Sequence, residues 1–135
     1  MDLHIEDFWK DASIVVCQLY SVFPRPHTLF LDDVVGPDMV DQYGLNSPRY
    51  LSCIACLSWL QEEGLIRFDS FINNEAVENA VLTRKTVARL VSIIHGKSLI
   101  EQLRFHVRDG NPAKYQPLIK GILLADAHYE MTDFH

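Results

Sequence analysis

The amino-acid sequence predicts a mainly α-helical fold of the α+β class, built as one domain with a helical extension at its C-terminal end. Apolar residues recur at three- and four-residue steps through several segments, which indicates amphipathic helices. One stretch has the pattern of a β-hairpin, and Pro and Gly residues separate the segments. With 135 residues, of which 48% are hydrophobic and 22% charged, the chain can bury a core without disulfides or a metal.

The first helix is predicted over residues 4–23, where a wide apolar stripe faces one way and acidic side chains lie elsewhere. Pro24 breaks this helix because proline cannot continue the helical hydrogen bonds. An extended segment over residues 28–31 follows, with one helical turn from Asp32 and a further short helix over residues 37–45. The segment that follows, residues 47–64, carries the strongest helix signals.

A third, longer helix is predicted to begin at Ser47-Pro48 and to end at Gly64. A serine N-cap followed by proline at the first helical position is a typical helix start, and glycine commonly closes a helix. The alternating residues that follow, interrupted by Asn-Asn, predict a β-hairpin over residues 65–82 with its tip at residues 73–75.

Three more helices are predicted after the hairpin. Thr83 can cap the first of them, which the apolar pattern extends to Gly96. The Ser-Leu-Ile-Glu stretch that starts at Ser98 is a capping box and opens the second helix. Asn111-Pro112 repeats the cap-plus-proline start and opens the third.

This succession of elements resembles the winged-helix variant of the helix-turn-helix domain over residues 5–92. The motifs that carry the resemblance are Leu57, Leu60, Gly64, Leu65 and Ile66, together with Val81-Leu82-Thr83. The resemblance implies that the third helix is a recognition helix and that the hairpin is the wing. It also implies a winged-helix domain over residues 1–95, and a helical extension over 96–135 that packs on the domain or mediates dimerisation.

Cys53 and Cys56 form a Cys-x-x-Cys, a spacing found in zinc and redox sites. Zinc needs four ligands, and no histidine pair lies at a compatible spacing. A redox pair needs an exposed first cysteine at a helix start, whereas this pair lies within a helix. We therefore interpret the motif as core packing, and we expect neither a metal nor another cofactor.

One interpretation of the resemblance is a DNA-binding transcriptional regulator that acts as a homodimer. Base and phosphate contacts need Arg, Lys, Ser, Thr, Asn or Gln on the outward side of the recognition helix. The candidates for the DNA groove are Arg49, Ser52 and Ser58. The candidates for the DNA backbone are Arg67, Arg84 and Lys85.

Charge favours a second interpretation, a non-enzymatic module that binds another protein. Residues 1–83 carry 13 acidic and 4 basic side chains, a balance of −9, whereas residues 84–135 carry 5 acidic and 8 basic, a balance of +3. The wing is acidic and would repel phosphates. Tyr50, Leu51 and Trp59 are the candidate interface residues, since interfaces are rich in aromatic side chains. An equally open alternative is that the C-terminal helices cover them.

No enzyme is expected, and no catalytic residue is assigned. The sequence contains none of the nucleophile, phosphate-loop or metalloprotease motifs that would nominate an active site. No run of 18 apolar residues predicts a membrane span, and the N-terminal stretch is acidic rather than basic. These features predict a cytoplasmic protein.

Overall fold

The computed structural model describes residues 3–37 and 45–125, which form an α+β fold of helices and a small antiparallel sheet, as the sequence predicts. The helices are α1 (Leu3–Val22), α2 (Asp32–Val35), α3 (Pro48–Glu62), α4 (Arg84–Leu90), α5 (Leu99–Arg108) and α6 (Pro112–Leu124). The strands are β1 (His27–Phe30), β2 (Ile66–Arg67), β3 (Phe71–Ile72), β4 (Ala76–Leu82), β5 (Ile93–Ile94) and β6 (Lys97–Ser98). Most of the short helix expected over residues 37–45 lies outside the described residues.

The strand β4 is the centre of the sheet. It pairs antiparallel with β1 on one side and with β2 and β3 on the other. The pairing of β1 with β4 brings residues from before α3 next to residues from after it. The sheet therefore fixes the two ends of the chain segment that contains α3.

The hairpin predicted over residues 65–82 is confirmed. At its tip, Asn73 and Asn74 both have positive φ, 49° and 57°, a region that asparagine tolerates better than most residues. A third positive φ, 55° at Asn79, interrupts the ladder and separates β2 from β3. The Asp69 amide still donates to the Glu78 carbonyl between the two strands, at 2.9 Å.

The expectation that the helix after the hairpin runs to Gly96 is wrong. The helix α4 ends at Leu90, and residues 93–98 form the small hairpin of β5 and β6. His95 and Gly96, with φ of 56° and 81°, make its two-residue turn. The apolar spacing that suggested one helix arises because Leu90 and Ile94 are both buried, from two different elements.

The helix α1 lies at the centre of the fold and packs against α3, α5 and α6. The fully buried leucine and isoleucine side chains come from nearly every element. They include Leu19, Leu29, Leu57, Leu60, Leu82, Leu90, Leu103, Ile119 and Ile122. In the part of the chain that the structure describes, no helix combines the length and the apolar character that crossing a membrane requires.

Candidate protein-binding surface on the third helix

The helix α3 begins as its sequence predicts. The Ser47 Oγ accepts a hydrogen bond from the Tyr50 amide at 3.2 Å, and Pro48 occupies the first helical position. The inner side of the helix faces the core. Its buried residues are Tyr50, Cys53, Cys56, Leu57 and Leu60.

Cys53 and Cys56 lie in the core, as predicted, with 0% and 2% of their surfaces exposed. Burial raises the pKa of the Cys53 thiol to about 12, and it raises the pKa of Cys56 further. Both thiols are therefore protonated at neutral pH. The burial of both side chains and the preference for the neutral thiol are what packing as small hydrophobic residues requires.

The outward position expected for Tyr50 is wrong. Only 4% of Tyr50 is exposed, and its hydroxyl donates to Asp32 Oδ1 at 2.9 Å. A tyrosine can be buried when its hydroxyl finds such an acceptor. Tyr50 therefore joins α3 to α2 inside the protomer, and the interface candidates that remain on the surface are Leu51 and Trp59.

Arg49 faces α1 and does not lie on the outward side of α3. Its guanidinium donates to both carboxylate oxygens of Asp11, at 2.7 Å for Oδ2, and lies 3.5 Å from Asp7. The hydrogen bond with Asp11 raises the pKa of Arg49, and burial partly opposes it. Burial raises the pKa of Asp11, and Arg49 offsets part of that effect. This cation is engaged within the protomer, which leaves it poorly placed for a DNA groove.

The outward side of α3, which we call the α3 outer face, is small, apolar and almost uncharged. Half of the Leu51 surface is exposed, and Ala55 is exposed beside it. Ser52, Ser58 and Trp59 are partly exposed. Glu62 carries the single charge, at the C-terminal end of the helix. The full set is Pro48, Leu51, Ser52, Ala55, Ser58, Trp59 and Glu62.

An apolar groove of about 440 Å³ runs beside the α3 outer face, between α3 and the start of α1. The Phe8 ring meets the Trp59 ring edge-on, with centroids 5.3 Å apart. Ile5 and Leu124, 41% and 57% exposed, lie at the same groove. The apolar side chains that line it are Ile5, Phe8, Trp9, Ala55, Cys56, Trp59 and Leu124.

The C-terminal helices leave the α3 outer face open over the described residues. The end of α6 reaches the groove with Leu124, but Leu51 and Ala55 stay exposed. The surface thus combines an exposed helix face with an adjoining hollow. Exposed apolar patches of this kind mark interaction sites more often than ordinary surface.

The other cations proposed for DNA lie at one end of the hairpin. Arg67 pairs with Val81 across the sheet, and α4 begins with Arg84 two residues after β4 ends. Both are exposed, as is Lys85, whose ammonium donates to the Glu63 carbonyl at 2.7 Å. Of the three, Lys85 lies closest to the α3 outer face, because it lines a hollow that Trp59, Arg89 and Leu124 also line.

Sequence reasoning missed Ile5, Phe8 and Leu124 as surface residues of the site. Ile5 and Phe8 are one turn apart and belong to the apolar stripe of α1, so they were counted as core. Only the packing of α1 on α3 shows that the first turns of the stripe extend past the core. No local signal distinguishes these positions from the buried ones.

Comparisons with protein families, with curated proteins and with solved structures found no significant match to this chain. Its function is therefore argued from its own geometry.

Proposed function

We propose that this chain is a non-enzymatic winged-helix interaction module that binds protein, and not duplex DNA, through the α3 outer face. The winged-helix assignment is supported by the element order and by the position of β4 between β1 and the hairpin partner β2. A winged-helix fold does not itself specify DNA, since a fold supports many functions. The chemistry of the surface supports a protein partner over DNA.

The observation that carries the proposal is the composition of the α3 outer face. A helix that enters the major groove reads base edges with polar side chains and is surrounded by phosphates, which carry one charge per roughly 1.7 Å of duplex. The α3 outer face offers two serines, one glutamate and the apolar Leu51, Ala55 and Trp59. Covering such a surface with another protein costs little desolvation, and none of its own side chains is a cation that could neutralise a phosphate.

A second candidate function is sequence-independent DNA binding by the hairpin end of the molecule. The observation in its favour is the exposure of Arg67, Arg84 and Lys85 on the hairpin and at the start of α4. Against it, the wing itself presents Asp69, Glu75 and Glu78, all exposed.

Fluorescence anisotropy with a random-sequence duplex, at about 50 and about 200 mM salt, separates these functions. We expect no binding at the lower salt concentration. Binding that Ser58→Glu abolishes would place α3 in the DNA groove and overturn the proposal. Binding that persists in Ser58→Glu, but is lost when Arg67, Arg84 and Lys85 are all changed to Ala, would establish the second function. Circular dichroism of each variant controls for folding.

A further inference from the structure

We infer that the protein bound by the α3 outer face is a second copy of this chain, with the two α3 helices antiparallel and crossing at Ala55. This inference rests on the proposed function, because it names the partner of the same surface. It concerns the described residues of α1, α3 and α6, which form the α3 outer face and line the groove beside it.

The α3 outer face is self-complementary about Ala55. In an antiparallel two-fold pair, a residue a given number of positions before Ala55 meets the residue the same number of positions after it, as an isologous interface requires. Leu51 then meets Trp59 of the partner subunit, and Ser52 meets Ser58 of the partner subunit. Ala55 meets its own copy. Apolar residues therefore face apolar residues, and hydroxyls face hydroxyls.

The groove supplies the hollow that this arrangement needs. Leu51 projects from the surface with half of its area exposed, while Trp59 lies beside the groove that Phe8 and Ile5 also line. Because Leu51 of one copy lies over Trp59 of the other, each leucine can enter the groove of the opposite copy. A single two-fold rotation therefore places both Leu51 side chains in grooves.

Small side chains at the crossing point allow the two helices to approach closely. Ser52, Ala55 and Ser58 carry no more than two heavy atoms beyond Cα. Helices pack at interaxial distances of roughly 8 to 10 Å, and the smaller values require small residues at the contact. The small residues at the centre of the face therefore permit the close approach that brings Leu51 of one copy to the groove of the other.

Charge selects the antiparallel orientation. Glu62 lies at the C-terminal end of α3, and the opposite end is the Ser47-capped N-terminus, where the helix dipole is positive. An antiparallel pair places each Glu62 near the N-terminus of the other α3. A parallel pair would place the two Glu62 carboxylates together, where they would repel.

Sedimentation velocity over a range of about 1 to about 200 µM tests the inference. We expect a reversible dimer, and we expect Ala55→Arg and Leu51→Arg each to weaken it by about a hundredfold or more, because a charged side chain at the centre of an interface is left unpaired. Phe105→Arg is the matched control: Phe105 is 61% exposed on α5, away from this surface. It should leave the dimer intact.

Disulfide trapping tests the geometry independently. In a Cys17→Ser background, Ala55→Cys lies on the two-fold axis and should form a cross-linked dimer on oxidation, while Phe105→Cys should not. Circular dichroism and thermal melting confirm that each variant folds. A chain that stays monomeric throughout the range, or a dimer that survives Ala55→Arg, would overturn the inference. The proposed function fails on a different result, DNA binding that depends on Ser58.

Discussion

The contact of Asp11 with Arg49 shows how a single residue pair decides which surface of α3 is available. The Asp11 side chain is only 1% exposed, and the Arg49 guanidinium that meets it from α3 is about one-third exposed. Burying an unpaired carboxylate costs folding free energy. The ion pair with Arg49 offsets this cost, so the arginine side chain stays beside Asp11. The arginine that the sequence nominates for a DNA groove instead joins α3 to α1.

Replacing this arginine should destabilise the protomer. We expect Arg49→Met to cost about 3 kcal/mol of unfolding free energy, because Asp11 is left as an unpaired buried charge. The double variant Asp11→Asn with Arg49→Met should recover much of the loss, since no buried charge remains. Urea unfolding of the two variants and the wild type measures these differences.

The pH dependence of the unfolding free energy that Arg49→Met loses gives a second measurement. Burial already raises the pKa of Asp11, and Arg49 opposes this rise more strongly than Lys10 does. Without Arg49 the folded-state pKa lies further above the unfolded value, so folding takes up a proton. The stability that the Asp11 carboxyl contributes is then fully present below its pKa in the unfolded state. It is lost as the pH rises through its pKa in the folded state. The deficit relative to wild type should therefore shrink on acidification; an equal deficit at every pH would contradict the burial argument.

At the scale of elements, α4 is fastened to the end of α3 by buried hydroxyls. The Thr86 Oγ1, fully buried, donates to the Leu65 carbonyl at 2.7 Å. Thr83, which precedes α4, does not cap the helix with its side chain; its Oγ1 donates to the Gly64 carbonyl at 2.7 Å. These bonds join the hairpin, α3 and α4 at one point.

Removing the buried hydrogen bond of the Thr86 hydroxyl should lower the unfolding free energy more than removing an exposed hydrogen bond does. We expect Thr86→Val to lower the unfolding free energy by about 1 kcal/mol, since the Leu65 carbonyl keeps other donors and valine fills the same volume. Ser92→Ala removes a comparable bond to the Ala88 carbonyl on a more exposed surface and should cost less than half as much. Thermal unfolding of both variants provides the comparison. Equal losses would contradict the claim that burial makes the Thr86 hydrogen bond more stabilising than an exposed one.

The elements that the sequence predicts well are those with local signals. Ser47 with Pro48, and Ser98 at the start of α5, cap their helices as expected because capping depends on residues within one turn. The hairpin β5–β6 was missed because two-residue strands have no detectable alternation. The inward positions of Tyr50 and Arg49 were missed because the rotation of α3 against α1 is set by tertiary packing, which no local pattern encodes.

At the scale of the whole molecule, charge and shape point to the same kind of partner. The acidic residues concentrate in residues 1–83, which contain α3 and the hairpin of β2, β3 and β4, and the region with a net basic charge follows. A nucleic acid approaching α3 would meet the acidic hairpin at the same time. In the dimer that we propose, a second copy of the chain would meet an apolar face that matches its own.

The most direct test of this account is the exposure of Trp59 to an aqueous quencher as a function of protein concentration. In a Trp9→Phe variant, Trp59 is the sole tryptophan. The account predicts that iodide quenching falls as the concentration rises from about 1 to about 100 µM, and that Ala55→Arg restores full quenching. Quenching that is constant with concentration, or that falls only when duplex DNA is added, would contradict it.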